Sequence, residues 1–333
     1  WVTNFIIPLA RTNGNTRFHA KIVNEINYYF FYFRQPSRTV YCEKCLLMVN
    51  LTKIFFSLLL LLCTLSLQAE TAIVLNSADA TVSLIDTQTF KEISRFPIGK
   101  EPHHLMATPD DQHVIVANGA SNDLVFLDPK SGKEIRRIKD ISDPYQIGFS
   151  PDKKWFVSNS LRLDRVDIYH AADFKLQKRL SLGRMPSHLV FNQDSSLVFI
   201  TLQDSNEIAA IDLATQSVKW KIPVGPTPAG IWMTPDDKYL LIGVMGADYV
   251  QVIDWRTQKT VKKIVTDKGA HNLIALGDGK HVLVSNRVGG TVSIIDQEKL
   301  EKTESFSVPG GPDCMELTKD GKQLWITSRW LKR

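Results

Sequence analysis

The chain has 333 residues, with 40 Lys+Arg against 35 Asp+Glu and four cysteines. Its first 69 residues hold seven of the basic and two of the acidic groups, so residues 70–333 carry 33 of each and are formally neutral. A neutral domain without a basic block or stripe offers no footing for nucleic acid or an anionic membrane surface. With Cys314 the only cysteine after residue 69, no intrachain disulfide is available to that part.

Residues 1–47 match nothing later in the chain and read as a non-native upstream segment carried in frame. The CxxC of Cys42 and Cys45 within it lacks the second pair that a zinc site needs. Residues 48–69 read as a secretory signal: Met48, Lys53, the apolar run Ile54–Leu62, then Ser66–Leu67–Gln68–Ala69 with cleavage after Ala69. The run is too short for a membrane span. A lipoprotein at Cys63 is disfavoured because Leu62 precedes it where a small residue is needed. The expectation is a periplasmic or secreted protein with no membrane span after cleavage.

From Glu70 onwards the chain repeats every 42 residues without an insertion. Asp86, Asp128, Asp212, Asp254 and Asp296 keep this step, with His170 in one slot, and so do Asp110, Asp152, Asp194, Asp236, Asp278 and Asp320. Pro102, Pro144, Pro186, Pro228 and Pro312 form a third series, with Ala270 standing in once. The unit from His103 to Lys139 shows four β-rich runs, Leu105–Thr108, Val114–Asn118, Leu124–Asp128 and Glu134–Ile138, separated by Pro, Gly, Asn and Asp turns. Four short strands per 42 residues, with no helical stripe, describe an all-β propeller blade. The recurrent aspartates are expected to close turns rather than to catalyse.

Counting from Ala72–Asn76, which opens at a second strand, residues 70–333 supply 25 strands. Seven four-stranded blades need 28, so the reading is a seven-bladed ring whose last blade is incomplete in this chain and which leaves a free edge.

The strand ends VIVANG (114–119), WFVSNS (155–160) and VLVSNR (282–287), and the IDxxT elements at Asp86, Asp212 and Asp254, resemble the YVTN-type β-propeller repeat proteins. These include the YncE-like and the cytochrome d1 haem-domain-like exported propellers. The resemblance implies the fold and export. Its matching residues are structural and imply no activity; propellers of this architecture include lactonases and quinone-, haem- or copper-dependent enzymes.

Chemistry is expected where the blades differ. The pairs after each proline, His103–His104, Tyr145–Gln146, Ser187–His188, Ala229–Gly230, His271–Asn272 and Asp313–Cys314, should ring one mouth of the channel, with Arg287 and Arg329 ending strands on the same face. His103, His104, Tyr145, Gln146, His188, His271, Asn272, Arg287, Asp313 and Arg329 are therefore the candidate ligand-binding set. A metal set of His104, His188, His271 and Cys314 would suit copper or haem iron, with no cofactor the favoured state. Ala229–Gly230 either opens room for a ligand or makes a tight turn. The leading function is a non-catalytic, monomeric scaffold that binds a small molecule or a protein at this mouth. The alternatives are a metal-, haem- or quinone-linked redox protein, and a lactonase-like hydrolase using Asp313, Arg287, Arg329 and His271.

Overall fold

The computed structural model describes residues 3–12, 15–18 and 71–331. The segment read as a signal, residues 48–69, and Cys42, Cys45 and Cys63 lie outside the described residues. What is described is all β: a β-propeller of six four-stranded antiparallel sheets and one three-stranded sheet.

Each four-stranded sheet built from consecutive strands is a simple meander. The one led by Pro144–Phe149 continues through Trp155–Ser160 and Arg165–His170 to Leu176–Ser181. Burial falls from the middle outward. Leu197–Leu202 is buried at every position, whereas the outermost Leu176–Ser181 is almost wholly exposed. A middle strand buried on both faces reads as a continuous apolar run. The core is accordingly split into layers between successive sheets. Val157 and Ile168 of one sheet meet Leu189, Ile200 and Leu202 of the next, and Phe199 and Ile208 meet Ile231, Leu240 and Ile242.

Both aspartate series close turns, as expected. Asp86 accepts from the amides of Gln88 and Thr89, and Asp128 from those of Lys130 and Ser131. In the other series Asp236 accepts from the Thr234 hydroxyl and the Lys238 amide, and Asp320 from the Thr318 hydroxyl and the Lys322 amide. The same hairpins need a left-handed residue that no sequence motif announces. Asp111, Lys153, Ser195 and Asp237, then Gly279 and Gly321, all adopt positive φ at 42-residue steps. The turn geometry recurs although the residue type does not.

Two expectations change. The first strand of the repeat begins at Pro102, not Leu105, because Pro102 pairs with Asn118 across a β-bulge. The outer positions beside Pro312–Leu317 and Gln323–Ser328, expected to be empty in an incomplete blade, are taken by Thr3–Thr12 and Asn15–Phe18. Thr3 to Pro8 pair antiparallel with Ser328 to Gln323, so that strand's edge is covered. Capping an edge in this way removes a template for pairing with other chains. The three-stranded sheet starts at Thr71–Asn76, and among the described residues no strand pairs with its inner edge.

Between the last and first sheets the ring is closed by side chains. The Gln323 amide donates to the Thr87 carbonyl at 3.0 Å, and the rings of Phe90 and Trp325 lie 6.2 Å apart. Within one layer Phe156, wholly buried, packs on Phe149 and Phe174. Phe156→Ala is expected to cost about 3–5 kcal/mol, read as a lower midpoint in chemical unfolding; a loss below 1 kcal/mol would contradict the layered core.

Candidate functional site

The pairs following the prolines share one local device. In the strand led by Pro144, Pro144 faces Ser160 and Ile147 faces Ser158, so Tyr145 and Gln146 together occupy one partner's place. The same extra residue falls after Pro186, Pro228, Ala270 and Pro312, and between Pro102 and His104. A bulge of this kind re-aims side chains and relieves them of ladder pairing. This is why consecutive residues project together at the mouth.

The predicted ring is brought together, and it divides into a cavity wall and a layer behind it. A cavity of about 1500 Å3 is lined by His103, His104, Tyr145, Gln146, Asp313 and Arg329 at the mouth. It extends along residues 71–75, an edge unpaired among the described residues, and the facing Met315 and Trp325. His188, His271 and Arg287 do not line it. His188 and His271 are each only 2 % exposed, and their rings meet edge-on at 5.3 Å. His188 also packs on His104 at 5.7 Å and on Tyr145 at 6.0 Å.

Ala229–Gly230 makes that contact feasible rather than opening ligand space. Ala229 is wholly buried, and a Cβ on Gly230 would come within 2.2 Å of the His271 carbonyl oxygen. The pair is not in the tight turn expected as the other reading: it lies within the strand Pro228–Met233 and is close-packed there.

His271 sits in an ion network. Arg287 Nη2 donates to His271 Nε2 at 2.6 Å and to Asp313 Oδ1 at 2.5 Å, while Arg329 Nη1 reaches Asp313 Oδ2 at 3.3 Å. Because Nε2 accepts, the His271 proton belongs on Nδ1, which lies 3.0 Å from Asp313 Oδ1 but outside hydrogen-bond geometry. The set nominated for hydrolysis thus converges, but its groups are committed to one another. Behind His188, Ser187 Oγ lies 2.5 Å from Nδ1 and accepts from Gln203. Nε2 of both His104 and His188 has no partner, an uncommon state for buried nitrogen.

Burial fixes the protonation states. It pushes His104 and His271 down to about 3, and His188 well below its ordinary value. His103 falls to about 4 for the same reason, although its ring is open to the channel. Burial raises the Cys314 thiol to about 12, reinforced by the charge of Asp313. Asp313 is held at about 2: burial opposes ionisation, but His271, Arg287 and Arg329 outweigh it. At neutral pH the imidazoles are neutral, the thiol is protonated and Asp313 is charged. Among the described residues no three His, Cys, Asp or Glu side chains are grouped to hold a metal ion. The proposed four-ligand set is therefore not assembled around one point here, and a protonated Cys314 is not a thiolate ligand.

Outside the mouth, His170 and His281 pair with Asp173 and Asp278 at the opposite ends of their sheets. Among the tryptophans, Trp232 and Trp255 are tied into the sheets through Gln297 and the Asp237 carbonyl. Sequence reasoning missed Glu101, Asp143 and Arg162, which form an ion cluster on the cavity rim. Their only signal was position, beside the proline series and the strand ends.

A family model, the YNCE-like beta-propeller, matches residues 39–333. The chain belongs to the YNCE-like beta-propeller family. No curated protein matches it. Among solved structures it is similar to a functionally unknown protein from Desulfotomaculum acetoxidans DSM 771, at 16 % identity and a TM-score of 0.67, over 78 % of this chain and 89 % of that one. It is also similar to the hydrazine synthase of Kuenenia stuttgartiensis, at 19 % identity and a TM-score of 0.64, over 77 % and 89 %. A third is the dihydro-heme d1 dehydrogenase NirN in complex with DHE, at 18 % identity and a TM-score of 0.56, over 76 % and 67 %. At these identities the likeness shows the fold alone.

Two predictions follow from the network. His188 and His271 have lowered folded-state values, so the unfolded chain binds more protons once the pH falls below about 6.5. Stability should then drop on acidification by up to about 1.4 kcal/mol per pH unit for each. Urea unfolding at pH 7, 6 and 5 would show this slope reduced in His188→Gln; an unchanged slope would refute the assignment. Asp313→Asn strips the counter-charge from half-buried Arg287 and should lower the thermal midpoint more than Arg329→Gln, which removes an exposed partner.

Proposed function

We propose that this protein is a non-catalytic, exported propeller scaffold that holds a small ligand at the channel mouth. The observation that carries this reading is the convergence of His103, His104, Tyr145, Gln146, Asp313 and Arg329 on a cavity. That cavity also runs along residues 71–75, the inner edge of the three-stranded sheet, unpaired among the described residues. A large concavity with a few convergent polar groups is the usual form of a ligand site.

The protonation states favour binding over acid–base catalysis. A general acid or base works best with a pKa near the operating pH. At this mouth His103, His104 and His271 are lowered to about 4, 3 and 3, and Cys314 is raised to about 12. The same facts weigh against the lactonase-like reading, whose His271 is locked against Arg287. The DHE carried by NirN is not transferred to this chain, because the likeness there is one of fold.

In this reading the ring has seven blades, and the three-stranded sheet is the blade without an innermost strand. The protein works as a monomer, and its leader is removed after Ala69, which also takes away Thr3–Thr12 and Asn15–Phe18 and leaves the outer edge of Gln323–Ser328 free. Native mass spectrometry of the protein recovered from an exported fraction tests both parts. The expected result is a chain beginning at Glu70, with a small molecule bound to the wild type and absent from Tyr145→Ala. An intact leader removes the export part. A ligand-free wild type, or equal occupancy in Tyr145→Ala, removes the mouth as the binding site.

A further inference from the structure

We infer that His103 and His104 form a two-imidazole chelate for one borderline transition cation of the Cu2+ or Zn2+ class, facing the cavity. The inference does not depend on an organic ligand being bound there.

On a regular strand, consecutive side chains point to opposite faces. Here the register slips between Pro102, opposite Asn118, and His104, opposite Ala117. This bulge brings both rings to one side, nearly parallel at 21° with centroids 5.0 Å apart. Their Nδ1 atoms share one proton in a hydrogen bond of 3.2 Å, which an incoming cation would displace. Two nitrogens each about 2.0–2.1 Å from one cation lie about 3–3.4 Å apart for ligand angles between roughly 90° and 110°. The pair therefore already has the bite that chelation requires. Tyr145, centred 4.1 Å from the His103 ring and 5.0 Å from that of His104, restrains both rotamers.

The chemistry of the pair agrees with its geometry. Neutral imidazole is the ligating form, and two such donors stand side by side here. Imidazole donors suit copper and zinc. As no three donor side chains are grouped among the described residues, the protein fills two positions and leaves the others open toward the cavity. Open positions are what a site needs when the cation itself contacts a further ligand. This assignment differs from the four-residue set in which His188, His271 and Cys314 take part, since those three stand in the network described above or bear a protonated thiol.

The test is a calorimetric titration of the full chain at pH 7 with Cu2+ and, separately, Zn2+, followed by electron paramagnetic resonance of the copper form. One equivalent should bind, with hyperfine structure from two nitrogens. His103→Ala and His104→Ala should each weaken binding by more than the roughly 10–100-fold that outer-shell partners contribute. His281→Ala, at the far end of its strand, should leave binding unchanged, and thermal midpoints would confirm that all three variants fold. Absence of a stoichiometric site in the wild type would overturn the inference. So would a four-nitrogen signal, or wild-type affinity in His103→Ala.

Discussion

The middle strands of the sheets built from consecutive strands are buried on both faces by neighbouring sheets, and that single demand shapes the rest. A sheet that is apolar on both sides has no stable existence alone. The layers from Val82–Val116 round to Leu283–Ile326 tile the ring with side chains of similar bulk. Equal layers require equal units, and equal units require the same turns. The aspartates, the left-handed residues and the unbroken 42-residue step are consequences of that packing. The sequence varies at the rims and along the exposed outermost strands, where a residue is free of two neighbouring sheets.

The mouth illustrates how fixed and variable parts meet. Gly230 is dictated by a backbone 2.2 Å from where its Cβ would sit, yet that close approach lets His188 reach His271. A constraint in one sheet thus shapes the chemistry between two others. At and behind the resulting wall a neutral imidazole chain meets a charged Asp313–Arg287–Arg329 group. Burial raises the energy of the charged forms, and the network compensates only Asp313.

Much of this was legible in the sequence, and the reasons are physical. The repeat was readable because turn residues and buried strands leave period-specific traces, and the proline series pointed to the mouth pairs. What could not be read is distance. Nothing in the spacing of His188 and His271 says that they touch while Cys314 stays apart, since that depends on which sheet carries small residues at Ala229–Gly230. The bulge after Pro102 was also invisible, so the first strand was placed too late and the side-by-side disposition of His103 and His104 went unseen. Likewise, Thr3–Thr12 bears no likeness to the repeat, and its place beside Gln323–Ser328 is a matter of edge pairing rather than of motif.

The bulges have a wider consequence. In each innermost strand the extra residue stands outside the hydrogen-bonded ladder, so its identity is uncoupled from the strand's pairing energy. Pairs as unlike as Tyr145–Gln146 and Asp313–Cys314 occupy equivalent places on the same scaffold. Except at Gly230, where a Cβ has no room, the mouth therefore behaves as a row of interchangeable sockets. New chemistry can be installed there one socket at a time while the surrounding architecture stays as it is.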